Sequence, residues 1–123
     1  MKTKKTTGAT VHYRDDKIVH IVYDNKLFSK AEVESIFNFI REHNPWEVAP
    51  ILATGSTFTN FEGDAMKFLT SEVVLQYCSA VAMVSKTLGE KIAANFYLNL
   101  SRPLRPTKVF TTEQDAITWL KQY

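Results

Sequence analysis

The residues of this chain whose types could do chemistry fall into four groups. The first is a polar loop, Thr54-Gly55-Ser56-Thr57-Phe58-Thr59-Asn60, followed by Phe61 and Glu62 at the start of a helical pattern. Hydroxyls and free amides ahead of a helix can hold an anion or a partner's carboxylate. The same residues can equally serve only as caps, and the loop has too little glycine for a phosphate-binding P-loop. Phe58 and Phe61 are aromatic anchors for a partner if they are exposed. The partner-binding candidates are therefore Ser56, Thr57, Phe58, Thr59, Asn60, Phe61 and Glu62. The second group, Arg102, Arg105 and Lys108, surrounds Pro103 and Pro106. The prolines narrow the spread of the cations, which are the anion-binding candidates for an acidic or phosphorylated group. The other reading is a solvated linker paired with nearby carboxylates.

The histidines and the single thiol offer less. His12 and His20 fall on the two strands of one hairpin and can approach each other, whereas His43 falls near a helix end, where a cation suits the C-terminal carbonyls. Two histidines without a third ligand fall short of a zinc constellation, so no metal is expected. Cys78 has no charged neighbour nearer in sequence than Glu72 and reads as a core thiol. No nucleophile elbow occurs, and Glu62 and Asp64 lie two apart, where helical side chains do not face one another. No catalytic residue and no cofactor are assigned. A small enzyme of unknown reaction would need an acid and a base clustered by the fold.

Composition bounds the rest. The chain has 123 residues and a formal net charge of +2. Lys2, Lys4 and Lys5 contribute to that charge within residues 1–8, read as a flexible N-terminal arm ahead of a single domain over residues 9–123. Lys mixes with Asp and Glu through the interior, so nucleic acid is not an expected partner. One cysteine permits no internal disulfide, which fits a reducing cytoplasm. Neither a signal peptide nor a membrane span is apparent.

The elements that must position these groups read as follows. Ala9 to Arg14 and Ile18 to Tyr23 form a hairpin about Asp15-Asp16-Lys17. Ser29 and Glu32 make a capping box for a helix whose apolar face is Val33, Ile36, Phe37 and Ile40, ended by Asn44-Pro45. A third strand lies within Trp46 to Thr54, and Pro50 marks it as an edge or bulge. Helix follows over Gly63 to Leu69 and Ser71 to Tyr77, broken near Thr70-Ser71, with Ser71 available as a cap. Ala80 to Val84 is a strand buried on both faces. In the next helix Leu88, Ile92 and Phe96, with Ala93, Tyr97 and Leu100 beside them, are expected to face the core. Pro103 and Pro106 stop it, Thr107 to Phe110 is the last strand, and Thr111 with Gln114 caps a helix that turns Ala116, Ile117 and Leu120 inward. The order β-β-α-β-α-β-α-β-α, with about four helices, predicts an α/β fold with a mixed sheet opened by a hairpin.

The Ala80-Val81-Ala82-Met83-Val84 strand, the Arg102-Pro103-Leu104-Arg105-Pro106 linker and the ending from Phe110 to Trp119-Leu120 carry a resemblance. From about Thr10 to Leu120 the chain resembles a STAS-like domain, nearest to the SpoIIAA-like branch related to bacterial anti-sigma-factor antagonists. Such antagonists carry a pattern like Thr-Phe-x-Asp-Ser-Ser-Gly in the corresponding loop, where a phosphorylated serine switches partner binding. The matching stretch is Thr57-Phe58-Thr59-Asn60-Phe61-Glu62-Gly63, with Phe61 and Glu62 where the serines would be and Asn60 in place of Asp. The resemblance thus implies a non-catalytic, cytoplasmic interaction or regulatory domain without that serine switch. Ser56, Thr57 and Thr59 remain as modifiable hydroxyls, and Glu62 supplies a fixed negative charge. Its partner would be another protein or a second copy. The branch's similarity to Sec14-like lipid carriers implies an alternative, a carrier or sensor of a lipid or other small apolar ligand held between helices and sheet.

Overall fold

The computed structural model of the chain describes residues 2–56 and 60–123. Six strands form one sheet in the spatial order β1-β2-β3-β4-β5-β6. They are β1 (Lys2–Thr6), β2 (Ala9–Tyr13), β3 (Val19–Tyr23), β4 (Ala49–Thr54), β5 (Cys78–Val84) and β6 (Thr107–Phe110). The first three pair antiparallel and β3 through β6 run parallel. The parallel half needs crossovers. These are α1 (Lys30–His43), then α2 (Gly63–Leu69) with α3 (Glu72–Leu75), then α4 (Leu88–Ser101). A last helix, α5 (Glu113–Leu120), follows β6.

The mixed sheet opened by antiparallel strands agrees with the sequence reading, with one strand more. Lys2–Thr6, expected as a flexible arm, instead pairs in register with β2 across a turn in which Gly8 has φ 92°. Its lysines gave no burial signal because an edge strand needs none; charged edge residues deter pairing with another chain. The Gly63-to-Tyr77 helix does break, at Thr70 and Ser71. Ser71 is the N-cap of α3, but its hydroxyl donates to the Phe68 carbonyl at 2.6 Å rather than capping α3.

Pro50 sits inside the sheet, and the register between β4 and β5 shifts at Ala49 and Ile51 on either side of it. A missing amide donor makes such an irregularity the accommodation for proline in an internal strand. The Ser29 capping box forms as expected, with Glu32 N–H donating to Ser29 Oγ and Ser29 N–H to Glu32 Oε1. Lys26 pairs with the same carboxylate. The cap of α5 lies one residue later than expected, with Asp115 N–H donating to Thr112 Oγ1. Thr111 and Thr112 each have a polar residue three positions on, so spacing alone could not choose between them.

One side of the sheet carries Val11, Val19 and Ile21 against Val33, Ile36 and Ile40 of α1 and Ala65 of α2. The other side packs Ile18, Leu52, Ala80 and Ala82 against Ala116, Ile117 and Leu120 of α5, as that helix's periodicity predicted. On α4, Ala94 and Leu98 are the buried residues, and they meet Val109 of β6. The expected inward row is turned outward: Leu88, Ile92, Phe96 and Leu100 are 67, 61, 67 and 70% exposed. This helix is apolar nearly all round, and its pattern therefore could not indicate which side meets the sheet.

Candidate functional site

The loop after β4 is drawn against the core by an aromatic cluster. Phe28, fully buried, stacks on Phe61 at a centroid distance of 5.1 Å, and Tyr23 meets both rings edge-on at 5.4 and 5.1 Å. Two backbone bonds lock this arrangement: Phe28 N–H donates to Asn60 O at 2.7 Å and Glu62 N–H to Phe28 O at 3.0 Å. Burial pushes the Tyr23 phenol well above its usual range. The loop leaves β4 through Gly55, whose φ is 95°.

The side chains proposed to meet a partner are largely spent inside the protein. Asn60 Nδ2 donates to Asn25 Oδ1 at 3.1 Å and to Ser56 Oγ at 3.0 Å, so Asn60 and Ser56 hold the loop's shape. Phe61 contributes its ring to the aromatic cluster. Glu62 is the exposed N-cap of α2, at the helix start where its sequence position placed it. Thr57, Phe58 and Thr59 lie outside the described residues.

The basic candidates diverge. Arg102 is exposed and left-handed at the end of α4, with φ 46°. Arg105 Nε donates to the Leu75 carbonyl of α3 at 3.4 Å. Lys108 lies 5.4 Å from the Phe110 ring, which packs with Trp119 of α5 on the opposite side of the sheet. An anion cradle from all three is therefore not assembled.

His12 and His20 do meet, directly opposite in the β2–β3 ladder with ring centroids 5.6 Å apart. Each also touches a hydroxyl: His12 Nδ1 is 2.8 Å from Thr3 Oγ1, and His20 Nε2 is 2.8 Å from Thr54 Oγ1. Among the described residues, no three His, Cys, Asp or Glu side chains gather where they could hold a metal. His43 Nδ1 lies 2.9 Å from the Phe39 carbonyl in the last turn of α1, as its position suggested. Burial pushes the Cys78 thiol up to about 12, which leaves it protonated and a poor nucleophile.

Burial also lowers the pKa of His20, against an opposing pull from Glu113. The unfolded chain therefore takes up this proton more readily than the folded one. Folding stability from this group is complete above the unfolded value of about 6.5 and is lost as pH falls toward the folded value. The urea midpoint should fall between about pH 7.5 and pH 5, and His20→Gln should flatten that slope. Equal slopes in wild type and variant would contradict the assignment.

An apolar cavity of about 110 Å³ lies between the sheet and the helices, lined among others by Ile21, Ile36, Ile51, Phe61, Met66 and Met83. It is smaller than the ~150 Å³ apolar cavity known to admit benzene and well below the ~300 Å³ at which ligand pockets begin.

The feature that sequence reasoning misassigned is the outer side of α4. Nine large apolar side chains are exposed among the described residues. Leu88, Ile92, Phe96 and Leu100 form one row at i, i+4 spacing, and Leu104, 57% exposed, follows just past the helix end. The signal was present, since a helix apolar on every side is ordinarily covered on every side.

The strand order, the crossover helices and the loop after β4 define an α/β domain of SpoIIAA-like fold. A crystal structure described as an uncharacterised DUF3478-family protein with a SpoIIAA-like fold, from Shewanella loihica PV-4, is similar to it. It superposes with a TM-score of 0.59 at 14% identity, over 97% of this chain and 90% of that one. The chain itself belongs to the DUF7793 family, a domain of unknown function, whose family model matches residues 12–123. A crystal structure of a protein with unknown function from Arthrobacter sp. FB24 aligns at 21% identity over 98% of both chains with a TM-score of 0.35, too low to imply a shared topology. No curated protein matches the sequence. No helix among the described residues is long and apolar enough to cross a membrane.

Proposed function

We propose that this chain is a non-catalytic, cytoplasmic interaction domain whose contact surface is the outer side of α4. The observation that carries the reading is the exposed row Leu88, Ile92, Phe96 and Leu100. Contiguous apolar patches beyond a few hundred Å² are rare on free monomers and mark association sites. The loop after β4 is the weaker candidate because Phe61 is packed on Phe28 and Tyr23, and because Ser56 and Asn60 bond within the protein. Glu62 is the described loop residue whose exposure and charge still suit a partner.

The reading is tested by comparing wild type, the double variant Ile92→Asp/Phe96→Asp and Glu62→Lys by sizing and pull-down with the source cell's extract. The α4 substitutions are at exposed positions and should change stability by no more than about 0.5 kcal/mol each. The complexes formed by wild type should be absent from the α4 variant and retained by Glu62→Lys. The reverse pattern would move the contact to the loop and overturn the reading.

A further inference from the structure

The outer row of α4 has a shape, an area and a charge pattern that suit a particular cover. We infer that it is a second copy of this chain, the two α4 helices packing row against row. This rests on the reading of α4 as the contact surface and names the partner of that surface.

Leu88, Ile92, Phe96 and Leu100 are successive members of one i±4 ridge. Two such ridges fit into each other's grooves at an interaxial angle of about −50°, the commonest helix pairing in globular proteins. A ridge of this kind is its own complement, as a two-fold contact requires. The row is centred between Ile92 and Phe96, so a two-fold axis there brings the middle side chains of each copy against those of the other.

The area agrees. Side chains of this size, open over 61–70% of their surfaces, present roughly 500 Å² per chain. Two copies then bury at most about 1,000 Å² in total, the size of a weak, transient interface, where micromolar affinity is ordinary.

Charge points the same way. No charged residue occurs between Lys91 and Arg102, so the centre of the surface offers nothing to a charged partner. Over Ile92 to Ser101 a second copy brings no charge into the seam either, and burying one unpaired would cost several kcal/mol. Lys86 and Arg102, exposed at the two ends, are splayed apart by the crossing angle to beyond about one Debye length.

Sedimentation equilibrium of the full chain from about 1 to 500 μM tests the inference. Wild type should follow a monomer–dimer equilibrium with a micromolar Kd. Phe96→Asp should weaken it by at least about 100-fold. Leu100→Ser, milder and at the end of the row, should weaken it less, and it keeps the test valid if the first variant misfolds. A wild type that stays monomeric throughout overturns the second-copy inference alone, and the interaction reading then stands or falls on the pull-down comparison. A dimer indifferent to both substitutions overturns the inference and the α4 reading together.

Discussion

Phe28→Ala should lower the unfolding free energy by about 3–5 kcal/mol, a large share of the stability of a chain this size. Phe28 is fully buried and lies between Tyr23 and Phe61, and a Cβ placed on Gly8 would come within 3.0 Å of its ring. Truncation removes the transfer free energy of the ring and leaves a hole that its neighbours fill only in part. Collapse is restricted on several sides at once. Gly8 belongs to the β1–β2 turn, Tyr23 to a strand inside the sheet, and Phe61 is tied through the Asn60 and Glu62 backbone bonds to Phe28 itself. Loss of the stack also frees the end of the β4 loop, and the Glu62 amide should exchange faster with solvent deuterium. Urea unfolding at constant m-value measures the first effect. A loss below about 1 kcal/mol would mean that the aromatic cluster is not what holds the loop.

Gly55→Ala comes next, with an expected cost of at least about 2 kcal/mol. At φ 95° an L side chain is strained irrespective of space, and here space is also lacking. The added Cβ would stand 2.3 Å from the Tyr23 carbonyl oxygen and 3.0 Å from its amide nitrogen. Those atoms belong to the backbone of β3, so no rotamer change relieves the clash. Either β3 and β4 part at that end or the loop leaves in a different direction, and both disturb the Tyr23 ring that Phe61 packs against. Thermal unfolding and the near-ultraviolet signal of the aromatic cluster would report the change together. A variant as stable as wild type would contradict the close approach. Gly63→Ala is the control, because a Cβ there meets nothing within 4 Å.

The parts of this fold that were legible beforehand are those whose burial follows one period. Val33, Ile36, Phe37 and Ile40 of α1 and Ala116, Ile117 and Leu120 of α5 are buried as their spacing requires, because each helix has one apolar side and one polar side. The strand around Ala80 and Ala82 was legible from its unbroken apolar run. β1 was not, because Lys2–Thr6 gains its place through hydrogen bonds to β2 rather than through buried side chains. A ladder of backbone bonds leaves no trace in residue type.

The site was legible only in outline. The loop after β4, its polar residues and the position of Glu62 at a helix start follow from sequence. That Phe61 turns inward does not, since its partner Phe28 lies thirty-three positions earlier and the two meet through tertiary pairing. The orientation of α4 was undetermined for a different reason. Ala94 with Leu98 and Leu88 with Phe96 are equally plausible inner sides, and position at the sheet's end decides that the smaller pair faces Val109. The larger, more apolar side is left facing outward, and the proposed role follows from that reversal.

Amide hydrogen exchange at two protein concentrations differing by about a hundredfold tests the proposed role most directly. Protection over residues 88–101 should rise at the higher concentration, while that over α2 stays constant. Equal protection of α4 at both concentrations, or a rise confined to residues 60–69, would contradict the proposed self-association through α4.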